Sequence, residues 1–212
     1  MNTLIRMLAL SVMTFGLVFS HYDAIAQEAP DALVKRVTQE VLDIAKTDKN
    51  IQSGNQKHVR ELVDSKIVPH IDFDRMTALT TGPEWEKTTP DQQKQLVSEF
   101  RALIIHTYSG ALSNIRDQQV ILKPLRTDPG SSEVVVQTEI TQPNHEPIQL
   151  AYRLEKSANE WKIYDISILG AWLVQTYKNT FSSQISKNGV DGLIKTLADK
   201  NKNLSNNAAK PS

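Results

Sequence analysis

Residues 133–141 read EVVVQTEIT and residues 148–155 read IQLAYRLE, and these two segments decide the fold. Apolar and polar residues largely alternate in both, which is the period of two expected of a strand with one buried face. The predicted buried face holds Val134, Val136, Ile140, Ile148, Leu150, Tyr152 and Leu154. Because polar residues take the alternate positions, we expect a sheet that is apolar on one side only.

Two further segments, 119–126 and 161–168, have the same period and flank the first pair. The connectors are short and rich in turn-forming residues: DPG at 128–130, PNH at 143–145 and SAN at 157–159. Connectors of this kind favour antiparallel neighbours. The sequence therefore predicts a mostly antiparallel sheet of four strands.

Helical periodicity precedes and follows this sheet. The segment 31–46 has apolar residues at helical spacing, and a longer helix starts at Thr89-Pro90-Asp91. After Gly170 a final helical region begins, whereas the polar segment 201–212 lacks the apolar residues needed for order and is expected to be a disordered tail. The predicted class is α+β, with helices packed on one face of a curved sheet.

The two ends and the composition indicate an exported protein. Residues 1–26 combine Arg6, an apolar run and the small residues Ala24 and Ala26, which is typical of a secretory signal peptide cleaved after Ala26. We expect residues 27–200 to form a single domain in the periplasm. The chain has no cysteine, which excludes disulfides and thiolate sites, and its 24 basic residues equal its 24 acidic ones. A nucleic-acid partner is not expected from such a balance.

Catalytic motifs are absent from the sequence, and we therefore expect no enzyme. No serine nucleophile elbow or phosphate-binding glycine loop occurs. The tract His70-Ile71-Asp72-Phe73-Asp74 offers an imidazole and two carboxylates, but aspartates near a helix start are already explained by the helix dipole. We predict no metal site and no cofactor.

Four segments in order carry a resemblance to a known family: PHIDFDRM at 69–76, GPEW at 82–85, EFRAL at 99–103 and EWKIYDISILG at 160–170. Together they resemble the MlaC family, also called the toluene-tolerance auxiliary family, over nearly all of the chain after residue 26. The resemblance implies an NTF2-like cone in which an apolar pocket between sheet and helices holds phospholipid as cargo. One departure is Ala171-Trp172, where the family commonly has smaller residues, so an indole could narrow the pocket.

The resemblance also implies the binding partners and a function in lipid transport. The protein would carry phospholipid between an outer-membrane lipoprotein–porin complex and an inner-membrane ABC transporter with an MCE-domain subunit, maintaining outer-membrane lipid asymmetry. We expect a monomer that does not span a membrane, with Lys or Arg side chains near the pocket mouth contacting the phosphate. The alternatives left open are a periplasmic hydrolase or isomerase on the same fold, and a structural protein with a filled core.

Residues on the apolar faces of elements that should enclose one space are the candidate lipid contacts. Periodicity identifies which face is buried, but it does not distinguish a cavity wall from packed core. The predicted pocket lining is Phe73, Met76, Phe100, Leu103, Tyr108, Val136, Leu150, Tyr152, Trp172 and Tyr177.

Overall fold

Side-chain caps begin four of the α-helices in the described residues, and Gly82 ends one of them. The computed structural model describes residues 27–128, 130–158 and 160–208. Thr89 and Gln92 form a reciprocal capping box at the start of the fifth helix, and Asp48, Asn55 and Asp72 cap three others. The α-helices are α1 Pro30–Thr47, α2 Lys49–Gln52, α3 Gln56–Lys66, α4 Phe73–Thr81, α5 Pro90–Tyr108 and α6 Leu173–Ala208. Short 3-10 helices lie at Val68–His70, Gly82–Lys87 and Ser109–Asn114.

The sheet is an antiparallel meander in which every strand pairs with its neighbours in sequence. Its strands are β1 Gln119–Leu122, β2 Glu133–Thr141, β3 Ile148–Lys156, β4 Trp161–Ile168 and β5 Ala171–Trp172. Exposed and buried residues alternate along most of β2, so the predicted strand pattern is confirmed. The predicted signal peptide lies outside the described residues, as do Pro129 and Asn159 of two predicted turns.

The sheet has five strands rather than the four predicted. Leu169 and Gly170 both have positive φ, at 51° and 86°, and this turn reverses the chain directly after β4. Trp172 then pairs with Ser167, which adds the two-residue β5. A strand this short leaves no periodic signal in the sequence, which explains the difference. The α+β class itself is confirmed.

The predicted disordered tail is wrong for residues 201–208, which belong to α6. The side-chain amide of Asn201 donates to the carbonyl oxygen of Glu99 at 2.9 Å and to its carboxylate at 2.7 Å, and Leu204 packs against the core. These contacts with α5 supply the stability that composition alone did not indicate. Residues 209–212 lie outside the described ranges.

Two groups of helices pack against one face of the sheet. Helix α1 lies over β1 and β2, whereas α4, α5 and α6 pack on one another, and α4 and α6 also pack on β4. The second group forms a core of buried side chains that includes Met76, Phe100, Leu103, Phe181 and Leu193. None of the helices in the described ranges combines the length and the apolar character that crossing a bilayer requires.

A buried carboxylate connects the sheet to the start of α6. Asp165 is fully buried and accepts hydrogen bonds from the backbone N–H of Ile166 at 2.9 Å and of Val174 at 3.0 Å. Its other oxygen pairs with Arg153 at 3.0 Å, and that guanidinium stacks 3.9 Å above the ring centroid of Trp172. Because Val174 lies in the first turn of α6, Asp165 satisfies a helix N–H that has no partner within the helix.

Candidate functional site

A large cavity lies between α1 and the concave face of the sheet. Its volume is about 570 Å³, within the range of about 300–1,000 Å³ that is typical of small-molecule pockets. Helix α1 contributes one wall through Val34, Val37 and Val41, and β3 contributes the facing wall through Leu150 and Tyr152. Isoleucines of β4 complete the interior: Ile163, Ile166 and Ile168. The cavity is therefore predominantly apolar.

One end of this cavity is open to solvent. The lining residues that are exposed, Ala111, Asn114 and Ile148, all lie at that end, and we call them the mouth. Two amide side chains line the cavity close by, and Gln118 donates a hydrogen bond to Gln142 at 2.6 Å. Among the described residues, no Lys or Arg lines the cavity. The expected cationic contacts with a phosphate are thus not part of the lining, and neutral amides stand near the mouth instead.

Two further polar groups of the lining, the imidazole of His70 and the phenol of Tyr152, are uncharged at neutral pH. Burial is the main cause that lowers the pKa of His70 below its ordinary value of 6.5, and the positive charges of Arg36 and Lys162 lower it further. The carboxylates of Glu160 and Glu28 oppose this effect only in part. Burial raises the pKa of the Tyr152 phenol, so that group also stays neutral. An apolar ligand would therefore meet no charge in the interior.

Acidification should destabilise the protein through His70. Because its pKa is lowered by folding, the unfolded chain binds the proton more readily, so the free energy of unfolding should fall as the pH drops below about 6.5. His70→Gln should flatten this slope in urea titrations across the acidic range. The pKa of His106 is also lowered by burial and by Arg60, so adding His106→Gln should flatten it further. An unchanged slope in the His70 variant would contradict the assignment.

A second, smaller cavity of about 160 Å³ adjoins the first. It lies between the sheet and helices α3, α4 and α5, and its lining is apolar apart from Ser109 and the Tyr108 hydroxyl. The two cavities share a set of wall residues that we call the partition: Ile67, Ile71, Tyr108, Leu112, Ile166 and Ile168. The two spaces are therefore neighbours that meet at these six side chains.

The structure brings four of the ten predicted contacts to these cavities. Leu150 and Tyr152 line the large cavity, Phe73 lines the small one, and Tyr108 lines both. Their contact with lipid remains a prediction.

The other six predicted contacts lie elsewhere, where apolar faces meet other side chains. Met76, Phe100 and Leu103 are fully packed between α4, α5 and α6, and Val136 is packed beneath α1. The Tyr177 ring packs edge-to-face on Phe100, with the centroids 5.1 Å apart. Trp172 lies under Arg153 and lines neither cavity, so the expected narrowing of the pocket by its indole is not observed.

The sequence did not single out the α1 wall or the amides near the mouth as site residues. Val34, Val37 and Val41 follow helical spacing, which indicated a buried face but not what it faces. Gln118 and Gln142 stand at the ends of predicted strands, where polar residues are ordinary. Within the described ranges, no group of three or more His, Cys, Asp or Glu side chains is placed to hold a metal ion.

The fold and the cavity together define a class of protein: an α+β domain that can enclose an apolar ligand between one helix and a sheet. The MlaC protein family model matches residues 35–199, and the chain belongs to that family.

Relatives and a solved structure agree with this assignment. The chain is 24% identical over 174 residues to the toluene tolerance protein ttg2D of Pseudomonas putida, covering 82% of this chain and 80% of the relative. It is 21% identical over 174 residues to the intermembrane phospholipid transport system binding protein MlaC of Haemophilus influenzae, covering 81% of each.

The solved structure is that of a phospholipid-binding protein from Ralstonia solanacearum in complex with a phospholipid. It is 45% identical, with a TM-score of 0.80, and the match covers 84% of this chain and 99% of that one.

Proposed function

We propose that this protein binds phospholipid and carries it through the periplasm between the outer and inner membranes. The observation that carries the proposal is the apolar cavity of about 570 Å³, which is open at one end and has no charged group in its lining at neutral pH. Its similarity to a solved phospholipid complex at 45% identity supports the same ligand class.

Transfer energetics explain why such a cavity is useful. Each methylene exposed to water costs about 0.8 kcal/mol, so two acyl chains of about 15 methylenes each cost on the order of 20 kcal/mol or more. A carrier that covers most of both chains removes this cost without any chemical step. Val37, Leu150 and Ile166 form walls of the required apolar character.

We place the acyl chains in the interior and the headgroup at the mouth. Asn114 and Gln142 offer amide N–H groups near the opening, and phosphate and ester oxygens accept hydrogen bonds from such donors. Of the predicted contacts, Phe73, Tyr108, Leu150 and Tyr152 are retained as proposed acyl-chain contacts. Neutral donors bind the oxygens that all phospholipids share, which favours broad headgroup acceptance.

The proposed route of lipid transport is the one that the family resemblance implies. The partners would be an outer-membrane lipoprotein–porin complex and an inner-membrane ABC transporter with an MCE-domain subunit, and the role would be to maintain lipid asymmetry. The name of the Haemophilus influenzae relative, an intermembrane phospholipid transport system binding protein, supports this route. The signal-like segment 1–26 supports a periplasmic location. The proposed role is that of a carrier rather than an enzyme.

Lipid analysis of the natively purified protein tests the proposal. After expression with its leader, the folded protein should release phospholipid on solvent extraction in near-stoichiometric amount, as measured by mass spectrometry and phosphate assay. A folded protein that contains no lipid and takes up none from phospholipid micelles would overturn the proposal. A recovered lysophospholipid with free fatty acid would favour the hydrolase alternative instead.

A further inference from the structure

The small cavity adjoins the large one on the side of helices α3, α4 and α5. The residues lining it are all buried or half-buried, whereas the lining of the large cavity includes the exposed mouth. A ligand that enters at the mouth can therefore extend into the small cavity past the partition residues, which line both spaces. The sequence of spaces is mouth, large cavity, partition, small cavity.

The character of the small cavity fits one kind of occupant. Its lining is provided by residues such as Val63, Phe73, Ile104 and Leu173, and such a lining offers water few polar partners. An empty space in a core also lowers stability in proportion to its volume. A flexible hydrocarbon end that fills it would regain the lost contacts.

We propose that the small cavity receives the methyl end of an acyl chain, and that the partition side chains Tyr108 and Leu112 set how long a chain the protein accepts. This inference rests on the proposed function. Both residues lie where α5 passes into the 3-10 helix Ser109–Asn114, and their side chains are half-buried, so rotamer changes would join the two spaces without movement of the sheet.

Substitutions can enlarge or fill the small cavity separately from the large one. Tyr108→Ala removes the bulkiest part of the partition and should join the spaces. Ser109→Leu adds apolar volume to the small cavity only, since Ser109 does not line the large one. Ser98→Leu is the matched control, because Ser98 lies on α5 but is exposed and lines neither cavity.

The test loads each delipidated protein with an equimolar mixture of phosphatidylglycerols whose saturated chains run from lauroyl to stearoyl, and measures the bound species by native mass spectrometry. Tyr108→Ala should shift the distribution toward longer chains and Ser109→Leu toward shorter ones, by roughly fourfold for each methylene gained or lost. Ser98→Leu should match the parent protein.

A folded Ser109→Leu variant with the parent's chain-length distribution would overturn the proposal. Should Tyr108→Ala fail to fold, Leu112→Ala opens the same partition with a smaller loss of volume and is expected to give the same shift. A parent protein that takes up none of the lipids would overturn the proposed function itself. Because lipid uptake by the parent protein is measured before any variant, this outcome is distinguished from a failure of the chain-length proposal.

Discussion

Leu150→Asp should strongly weaken phospholipid binding while the protein stays folded. Leu150 lies on β3 with its side chain in the wall of the large cavity. A carboxylate placed there can be hydrated when the cavity is empty, but it loses its water when acyl chains enter. Burial of a polar group without a partner costs at least about 2 kcal/mol, which corresponds to roughly thirtyfold weaker binding or more.

The measurement is the phosphate content of the purified protein, with circular dichroism and thermal unfolding as the check on folding. Val135→Asp is the matched control. Val135 is 41% exposed on the opposite face of the sheet and pairs with Arg153 on β3, so a carboxylate is tolerated there and lipid content should be unchanged. A folded Leu150→Asp protein with the parent's lipid content would show that this wall does not contact the ligand.

Asp165→Ala should destabilise the protein by about 2–4 kcal/mol, because it leaves the Val174 N–H and the Arg153 guanidinium without their buried partner. For a chain of this size the midpoint of thermal unfolding should fall by about 5–15 °C. Burial raises the pKa of the Asp165 carboxyl, whereas the hydrogen bond from Val174 and the charge of Arg153 lower it. Burial outweighs these two effects, so the pKa of the Asp165 carboxyl lies above its ordinary value of 3.8.

Asp165→Asn separates the hydrogen bonds from the charge. The amide oxygen can still accept from Val174, so this variant should lose less than half as much stability as the alanine variant. Urea titrations of both variants give the comparison. Equal stability of the alanine variant and the parent protein would mean that the start of α6 does not depend on Asp165.

Periodicity predicted the fold because helices and strands here bury one face each. On β2 and β3 apolar and polar residues largely alternate, and this local pattern is enough to identify Val136 and Leu150 as inward-facing. The end of α6 was missed because Asn201 is ordered by a contact with Glu99, which is distant in sequence.

The site was predicted only in part, for a related reason. Phe100 and Leu150 have the same sequence signature, since each is a large apolar residue on a buried face. In the structure, Phe100 lies 5.0 Å from the ring of Phe181, measured between centroids, whereas Leu150 faces the cavity. This difference depends on which side chains lie opposite each residue across the fold, and a single sequence does not show which residues those are.

The contribution of α6 to the central core has a consequence for the biosynthesis of the protein. Phe181, Leu193 and Leu197 fill the space over Met76 and Phe100, which belong to elements nearly a hundred residues earlier in the chain. A product that ends before Leu173 would leave those earlier side chains uncovered. A chain that terminates anywhere before α6 is therefore expected to be degraded by proteases, and not to persist as a shortened protein with residual activity.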